Sequence, residues 1–328
     1  MRIFYSVLIL HLVLSFQISY AQPTPNPALL VGEKSGAALA IVDPATLQII
    51  AHVPANPNPH EVATDGEYAY ISNSRANEIT VIDIAAQKLV EGIDLSPIGA
   101  IHGLVMAQGK LYFANEPART MGSYDPISKK IDWIMGTGIA RTHMISLSDK
   151  HDNKIFATST SNGAAAILEK PVNTDGTTSD WVITLIPTGP RAEGLDVSPD
   201  GSELWVNNVN DRTISVIDIA SKKEIEKIKL PTTFSNRLKF TLDGRYVFVA
   251  ELRGTKVLVL DAVTRKEVKQ IEVGGGSEGI LMTPDGTRVF VAVSTANKVA
   301  VIDLKTLSVV GEIPGLNNPD GMAWAEGQ

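Results

Sequence analysis

Seven polar residues recur along the chain at nearly constant intervals: His60, His102, His143, Glu193, Asn236, Glu278 and Asp320, separated by 42, 41, 50, 43, 42 and 42 residues. All but Asn236 titrate. Neutral imidazoles suit zinc or copper, so His60, His102 and His143 on successive repeats predict a transition-metal site if those repeats share an axis. The arc Glu193, Asn236, Glu278 and Asp320 offers the oxygen donors that hard cations such as calcium or magnesium take. The cofactor is left open, with a divalent copper, zinc or calcium ion as the candidate.

The position after this column is Gly103, Gly194, Gly279 and Gly321 in four repeats, and Glu61, Met144 and Arg237 in the others. Glycine at a fixed point of a strand marks close approach of another backbone. Two positions before the column stand Arg141 and Arg191, next to His143 and Glu193 in the series. Arginines beside such a column can clamp a small anion through paired N–H donors. Arg141, Arg191 and Arg237 therefore join the four-residue arc as candidate ligand-binding side chains.

What must position these residues is a repeated unit. An apolar pair followed by an acid recurs as IVD (41–43), VID (81–83), SYD (123–125), ILE (167–169), VID (216–218), VLD (259–261) and VID (301–303), at spacings of 40, 42, 44, 49, 43 and 42 residues. A second column precedes it: YISN (70–73), YFAN (112–115), FATS (156–159), WVNN (205–208), FVAE (248–251) and FVAV (290–293). Between them run alternating Val, Ile and Tyr residues punctuated by TDGE, SPDGS, TLDGR and TPDGT, the Asp-Gly signals of tight hairpins. Four short antiparallel strands per repeat of 40 to 45 residues predict propeller blades, which bury their faces only when stacked on their neighbours. The fold expected is all-β, a seven-bladed propeller. The segment LVGE (30–33) matches the second column, so the N-terminal strand is expected to close the blade begun by residues 298–328. The strand leading into each Asp-Gly hairpin is then innermost, and the polar column encircles one mouth of the channel.

The Y-[IFV]-x-N and V-I-D columns resemble the YVTN family of β-propeller repeat proteins, over nearly all of the mature chain. The resemblance implies a mostly exported protein of bacterial or archaeal type. It is weak on activity, because related propellers include lactonases, lyases, electron-transfer and copper-containing subunits, cell-surface proteins and binding proteins. It also implies a plain alternative for the column, since a His-Gly or Glu-Gly pair there can simply hydrogen-bond neighbouring loops. Two functions are expected from this. The first is a binding or scaffold protein holding a small molecule or metal at the mouth, with blade faces open to a protein partner. The second is a metal-dependent hydrolase, lactonase or lyase, in which His60, His102 or His143 would serve as general base.

Composition narrows the classes further. The run MRIFYSVLILHLVLSFQISYA (1–21) has the charge, apolar stretch and small terminal residues of a secretory leader, predicting a periplasmic or extracellular protein. A proline-rich lead-in (22–28), expected to be unstructured at least through Pro27, then precedes a single propeller domain (29–328). There is no cysteine, hence no disulfide and no thiolate chemistry. A net charge of −7 disfavours nucleic acid, and no second apolar run of membrane length follows the leader. Walker, dinucleotide-binding and GxSxG patterns are missing. The acids of the first column obey the repeat and are read as turn caps, and the tryptophans as blade packing.

Overall fold

The computed structural model describes residues 22–327; the expected leader, residues 1–21, lies outside them. Seven antiparallel sheets form a closed ring of blades. Six follow one another along the chain, with innermost strands Pro59–Thr64, Ile101–Ala107, Thr142–Ser146, Ala192–Val197, Ser235–Phe240 and Ile280–Met282 for blades 1 to 6. In each, the next strand carries the second sequence column, the third ends on the repeated acid, and the fourth is outermost. In blade 1 the outermost strand is broken into Lys88–Leu89 and Ile93–Asp94.

Blade 7 closes the ring from both ends of the chain. Its innermost strand is Pro319–Ala325, and its other three are Ala28–Glu33, Ala38–Asp43 and Gln48–Pro54. The blade therefore does not begin at Lys298 as expected, because Lys298–Asp303 and Ser308–Pro314 are the outer strands of blade 6. IVD (41–43) is already a third strand, so the N-terminal segment supplies three strands and the C-terminal segment one. The lead-in is also less free than its prolines suggest. Thr24 Oγ1 donates to the Ile84 carbonyl (2.7 Å), Gln87 Nε2 to that of Gln22 (2.7 Å), and the Gly327 N–H to Asn26 Oδ1 (2.9 Å), so it is tied down where the two ends meet.

Alternation explains the packing. The second and third strands of a blade are covered on both faces and read as nearly continuous apolar runs, such as LVGE-type ALLVGE and ALAIVD, whereas the outermost KEIEKIK (223–229) is almost wholly exposed. Buried side chains form a cluster at each junction between neighbouring blades. Leu30, Ile41, Ile71, Ile82 and Ala323 join blade 7 to blade 1, and Trp205, Val216, Phe240 and Val249 join blade 4 to blade 5. The repeated aspartates cap turns as expected, with Asp43, Asp83, Asp125, Asp218, Asp261 and Asp303 each accepting a backbone N–H from two or three residues ahead. Glu169 instead pairs with Lys154 and Lys222.

The inner strands share one irregularity. In blade 1, Pro59 pairs with Asn73 and Val62 with Ile71, so His60 and Glu61 together oppose Ser72. The same two-against-one bulge holds His102 and Gly103, His143 and Met144, Glu193 and Gly194, and Asp320 and Gly321, while blade 5 shifts register at Asn236. A bulge bends its strand and re-aims one side chain. Here it re-aims the polar column toward the channel axis.

The glycines of the next position show why the axis tolerates seven strands. A Cβ on Gly279 would lie 2.1 Å from the Asp320 carbonyl oxygen, and one on Gly321 2.2 Å from that of His60. Each inner strand thus abuts the backbone of the next blade. Gly279→Ala is expected to cost about 1 to 3 kcal/mol in urea unfolding through this overlap. Gly136→Ala, with nothing within 4 Å of its Cβ, should stay within about 0.5 kcal/mol of the parent. Equal losses at the two positions would contradict the close-approach explanation.

Candidate functional site at the channel mouth

The seven column residues meet at one end of the channel. His60, His102 and His143 lie side by side, with ring centroids 4.4 and 3.8 Å apart and ring planes tilted by 36° and 35°. Each end of this stack is held by carboxylates. His60 Nδ1 donates to Asp320 Oδ2 (3.1 Å), while Asn58 Nδ2 donates to His60 Nε2 (3.1 Å). At the other end His143 Nδ1 is hydrogen-bonded to Glu116, and Nε2 stands 3.8 Å from Glu193 Oε1, beyond hydrogen-bond reach but within ionic attraction. His102 sits between them with Nδ1 buried and unpartnered.

Among the described residues no group of three or more His, Asp or Glu side chains is placed to hold a metal ion. The expected three-histidine arrangement is therefore a stack in this geometry, with both nitrogens of His60 already engaged. The acidic arc is likewise occupied by cations. Lys34 Nζ lies 2.5 Å from Glu278 Oε2 and 3.3 Å from Asp320 Oδ2, and Arg191 Nε donates to Glu193 Oε2 (2.9 Å).

Beneath the ring, Arg237 Nη2 donates to Glu61 Oε1 (2.7 Å). These residues belong to blades 5 and 1, so the ion pair spans the channel. Arg141 turns away from the axis, pairing with Glu116 (2.7 Å) while its side chain stays 60% exposed. Arg141 and Arg191 both occupy the left-handed region (φ 53° and 58°), which swings them out of the strand direction. Of the three candidate arginines, Arg237 alone is buried.

Charge and burial set the protonation states. Burial pushes His102 well below the ordinary imidazole value of 6.5, and the neighbouring His143 and His60 add to the effect. Burial would also lower His143, but the hydrogen bond to Glu116 and the nearby Glu193 carboxylate outweigh it and raise it. Glu193 and Glu116 move the opposite way, their burial outweighed by His143 and the adjacent arginines. Burial is likewise overcome at Asp320, which Lys34, His60 and Arg237 hold well below the carboxylate range. For Glu61 and Glu278 burial wins and their carboxyls are raised.

Lys34 and Glu116 were not marked by the column. Both follow the last residue of the second column, where the other repeats carry Ser74, Thr160, Val209, Leu252 and Ser294. A charge that breaks the repeat at one fixed position was the available signal. Polar atoms without partners cluster at the same mouth: His102 Nδ1, His143 Nε2, Asn236 Oδ1 and Asp320 Oδ1, with Arg237 Nη1 below them. Their residues are 7, 7, 2, 0 and 8% exposed. Buried polar atoms normally find partners, so this group leaves hydrogen-bonding capacity at the mouth that no protein atom fills.

The fold defined here is a seven-bladed β-propeller, and comparison with known proteins agrees. A family model described as "Cytochrome D1 heme domain" matches residues 197–323. A functionally unknown protein from Desulfotomaculum acetoxidans is similar in structure at 15% identity, covering 93% of this chain and 100% of that one, with a TM-score of 0.76. Hydrazine synthase of Kuenenia stuttgartiensis matches at 16% identity over 89% and 99% of the two chains, with a TM-score of 0.71. A dihydro-heme d1 dehydrogenase, NirN, matches at 16% identity over 92% of this chain and 66% of its own, with a TM-score of 0.65. No curated protein matches the sequence.

The two buried histidines should titrate in opposite directions from 6.5, His102 below and His143 above, as followed by proton NMR of their ring signals. The unfolded chain binds a proton near 6.5 that folded His102 refuses, so its contribution to stability falls as pH drops below that value. The contribution of His143 is complete below 6.5 and is lost as pH rises through its raised value. His102→Gln should therefore soften acid destabilisation, and His143→Gln should remove a loss on the alkaline side. Coincident titrations of the two rings would refute the assigned environments.

Proposed function

We propose that the protein is an exported, YVTN-like propeller that binds a small zwitterion, of the free amino acid class, at the polar mouth. One observation carries this: the buried unpartnered atoms divide by chemistry around a single opening. Asn236 Oδ1 and Asp320 Oδ1 are acceptors on the acidic arc, suited to an ammonium group. His143 Nε2, in a ring whose surroundings favour the charged form, is a donor on the imidazole arc, suited to a carboxylate. His102 Nδ1 adds a second imidazole contact beside it. Export is supported by the leader-like residues 1–21.

The haem named in the matching family model needs an axial ligand for its iron. The matched stretch 197–323 contains no histidine and no cysteine, so it offers neither an imidazole nor a thiolate to an iron. The three imidazoles stand on the opposite arc and stack on one another at 3.8 and 4.4 Å, leaving no gap between them for a flat macrocycle. The residues do not fit that group. The metal-dependent hydrolase is the weaker reading, because the arc carboxylates that would hold its cation are engaged by Lys34 and Arg191.

Titration calorimetry with the free α-amino acids tests the binding reading. At least one should bind at unit stoichiometry, and its N-acetylated amide should not. Asp320→Asn and His143→Gln should each weaken binding by about tenfold or more, the scale of a charge-assisted hydrogen bond. Failure of every amino acid to bind below about 1 mM, a standard free energy of about −4 kcal/mol, would overturn it. Intact-mass analysis of protein expressed with its leader should show a mature chain starting at Gln22, and an uncleaved Met1 form in the exported fraction would contradict processing.

A further inference from the structure

The mouth lies on one side of the Arg237–Glu61 ion pair. On the other side the channel widens into a cavity of about 370 Å³, lined by the inner strands from Glu61 and Arg237 down to Thr64, Met106, Leu147 and Trp324. None of the seven column residues lines it. A second cavity of about 370 Å³ adjoins it at the hairpin ends of blades 3 to 5 and shares Leu147, Asp196 and Lys239 with it. The lower chamber therefore has a way out that does not pass the mouth.

Its walls combine two chemistries. Leu104, Met106, Met144, Leu281 and Trp324 supply an apolar surface from four blades. Arg237 and Lys239, two positions apart on one strand, place two cations along the wall. Arg237 is 8% exposed and its Nη1 has no partner, while Nη2 is held by Glu61. Lys239 Nζ lies 2.9 Å from Asp196 Oδ1, but its side chain is 43% exposed and retains donors for another acceptor. Asp196 is already satisfied, its second oxygen accepting the Phe240 N–H at 2.9 Å.

We propose that this lower chamber is a second binding site, separate from the mouth, for a small organic anion with a flat apolar body, such as an aryl carboxylate. The acid group lies between Arg237 Nη1 and Lys239 Nζ. The ring lies against Met106, Met144 and Trp324, where the thioethers adapt to its outline. Glu61 and Asp196 stay with their own partners, so one additional anion is accommodated by donors already present. The cavity volume falls in the range of pockets that enclose small ligands.

The test uses 2-naphthoate as probe, with neutral 2-naphthamide of the same shape, on the whole protein. Naphthoate should quench tryptophan fluorescence saturably at unit stoichiometry, and the quench should vanish in Trp324→Phe while calorimetric binding persists. Lys239→Gln should weaken binding by about tenfold, the scale of a charged hydrogen bond. Ser146→Phe, which fills the chamber, should abolish it, and His102→Gln at the mouth should leave it unchanged. Lys239 is half-exposed, so its variant tests the site even if the filled one does not fold. Absence of saturable binding, equal binding of the amide, or indifference to Lys239→Gln would each overturn the proposal. Loss of naphthoate binding in His102→Gln would also overturn it, by placing the probe at the mouth.

Discussion

Seven inner strands can meet around one axis only if their backbones come closer than side chains allow, and the register shift at the head of six of them is how this chain meets that constraint. Two residues there oppose one on the neighbouring strand. One is commonly glycine, lying against the next blade's carbonyl; the other projects its side chain to the axis. Hydroxyls on the second strand reinforce the junction. Ser72 Oγ donates to the His102 carbonyl (2.7 Å) and accepts the Glu61 N–H (2.9 Å), and Thr158 Oγ1 donates to the Glu193 carbonyl (2.6 Å). The frame and the site are thus built by the same irregularity, and a column that serves blade contact also fixes functional geometry.

Once so many titratable groups are brought to one axis, their mutual fields decide what the mouth can do. Arg237 feels Glu61, Asp320, Glu193 and Glu278 together, which hold its charge firmly in spite of burial. Lys34, buried in the same place, stays charged for the same reason, through Asp320 and Glu278. The imidazole stack then divides. His143, between two carboxylates, holds its proton more firmly than an ordinary imidazole, whereas His102, buried between two imidazoles, holds it less firmly. The result is a nearly balanced ring with donors and acceptors segregated to opposite arcs, the pattern on which the proposed zwitterion site rests.

Most of the frame was legible because repetition is a sequence property. The two columns located the second and third strands, and the Asp-Gly pairs located the hairpins that make one strand innermost. The column from His60 to Asp320 followed from those hairpins. Its detailed chemistry did not, because the order of residues along a chain carries no information about ring orientation. Three histidines one repeat apart are equally consistent with a metal centre and with a stack, and only the placement of the rings separates them. Lys34 and Glu116 lie one residue past the second column, and the division of blade 7 is not legible from LVGE, because a match to one column does not say which end of the chain supplies the strands beyond it.

The Arg237–Glu61 pair remains the least economical part of the design if it serves stability alone. Taking both charges out of water costs several kcal/mol, and an apolar pair of similar volume commonly does as well or better at holding a core. Blades 2, 4, 6 and 7 show the simpler solution at this level, with Gly103, Gly194, Gly279 and Gly321 and no charge at all. What the ion pair does that glycine cannot is close the channel midway with a polar partition. It supplies a charged floor to the mouth and a charged roof to the chamber beneath. Because Glu61 engages one nitrogen of the guanidinium and leaves another without a partner, the partition is itself incompletely satisfied. At a position that is glycine in four other blades, Arg237 thus stands with its charge between the mouth and the chamber.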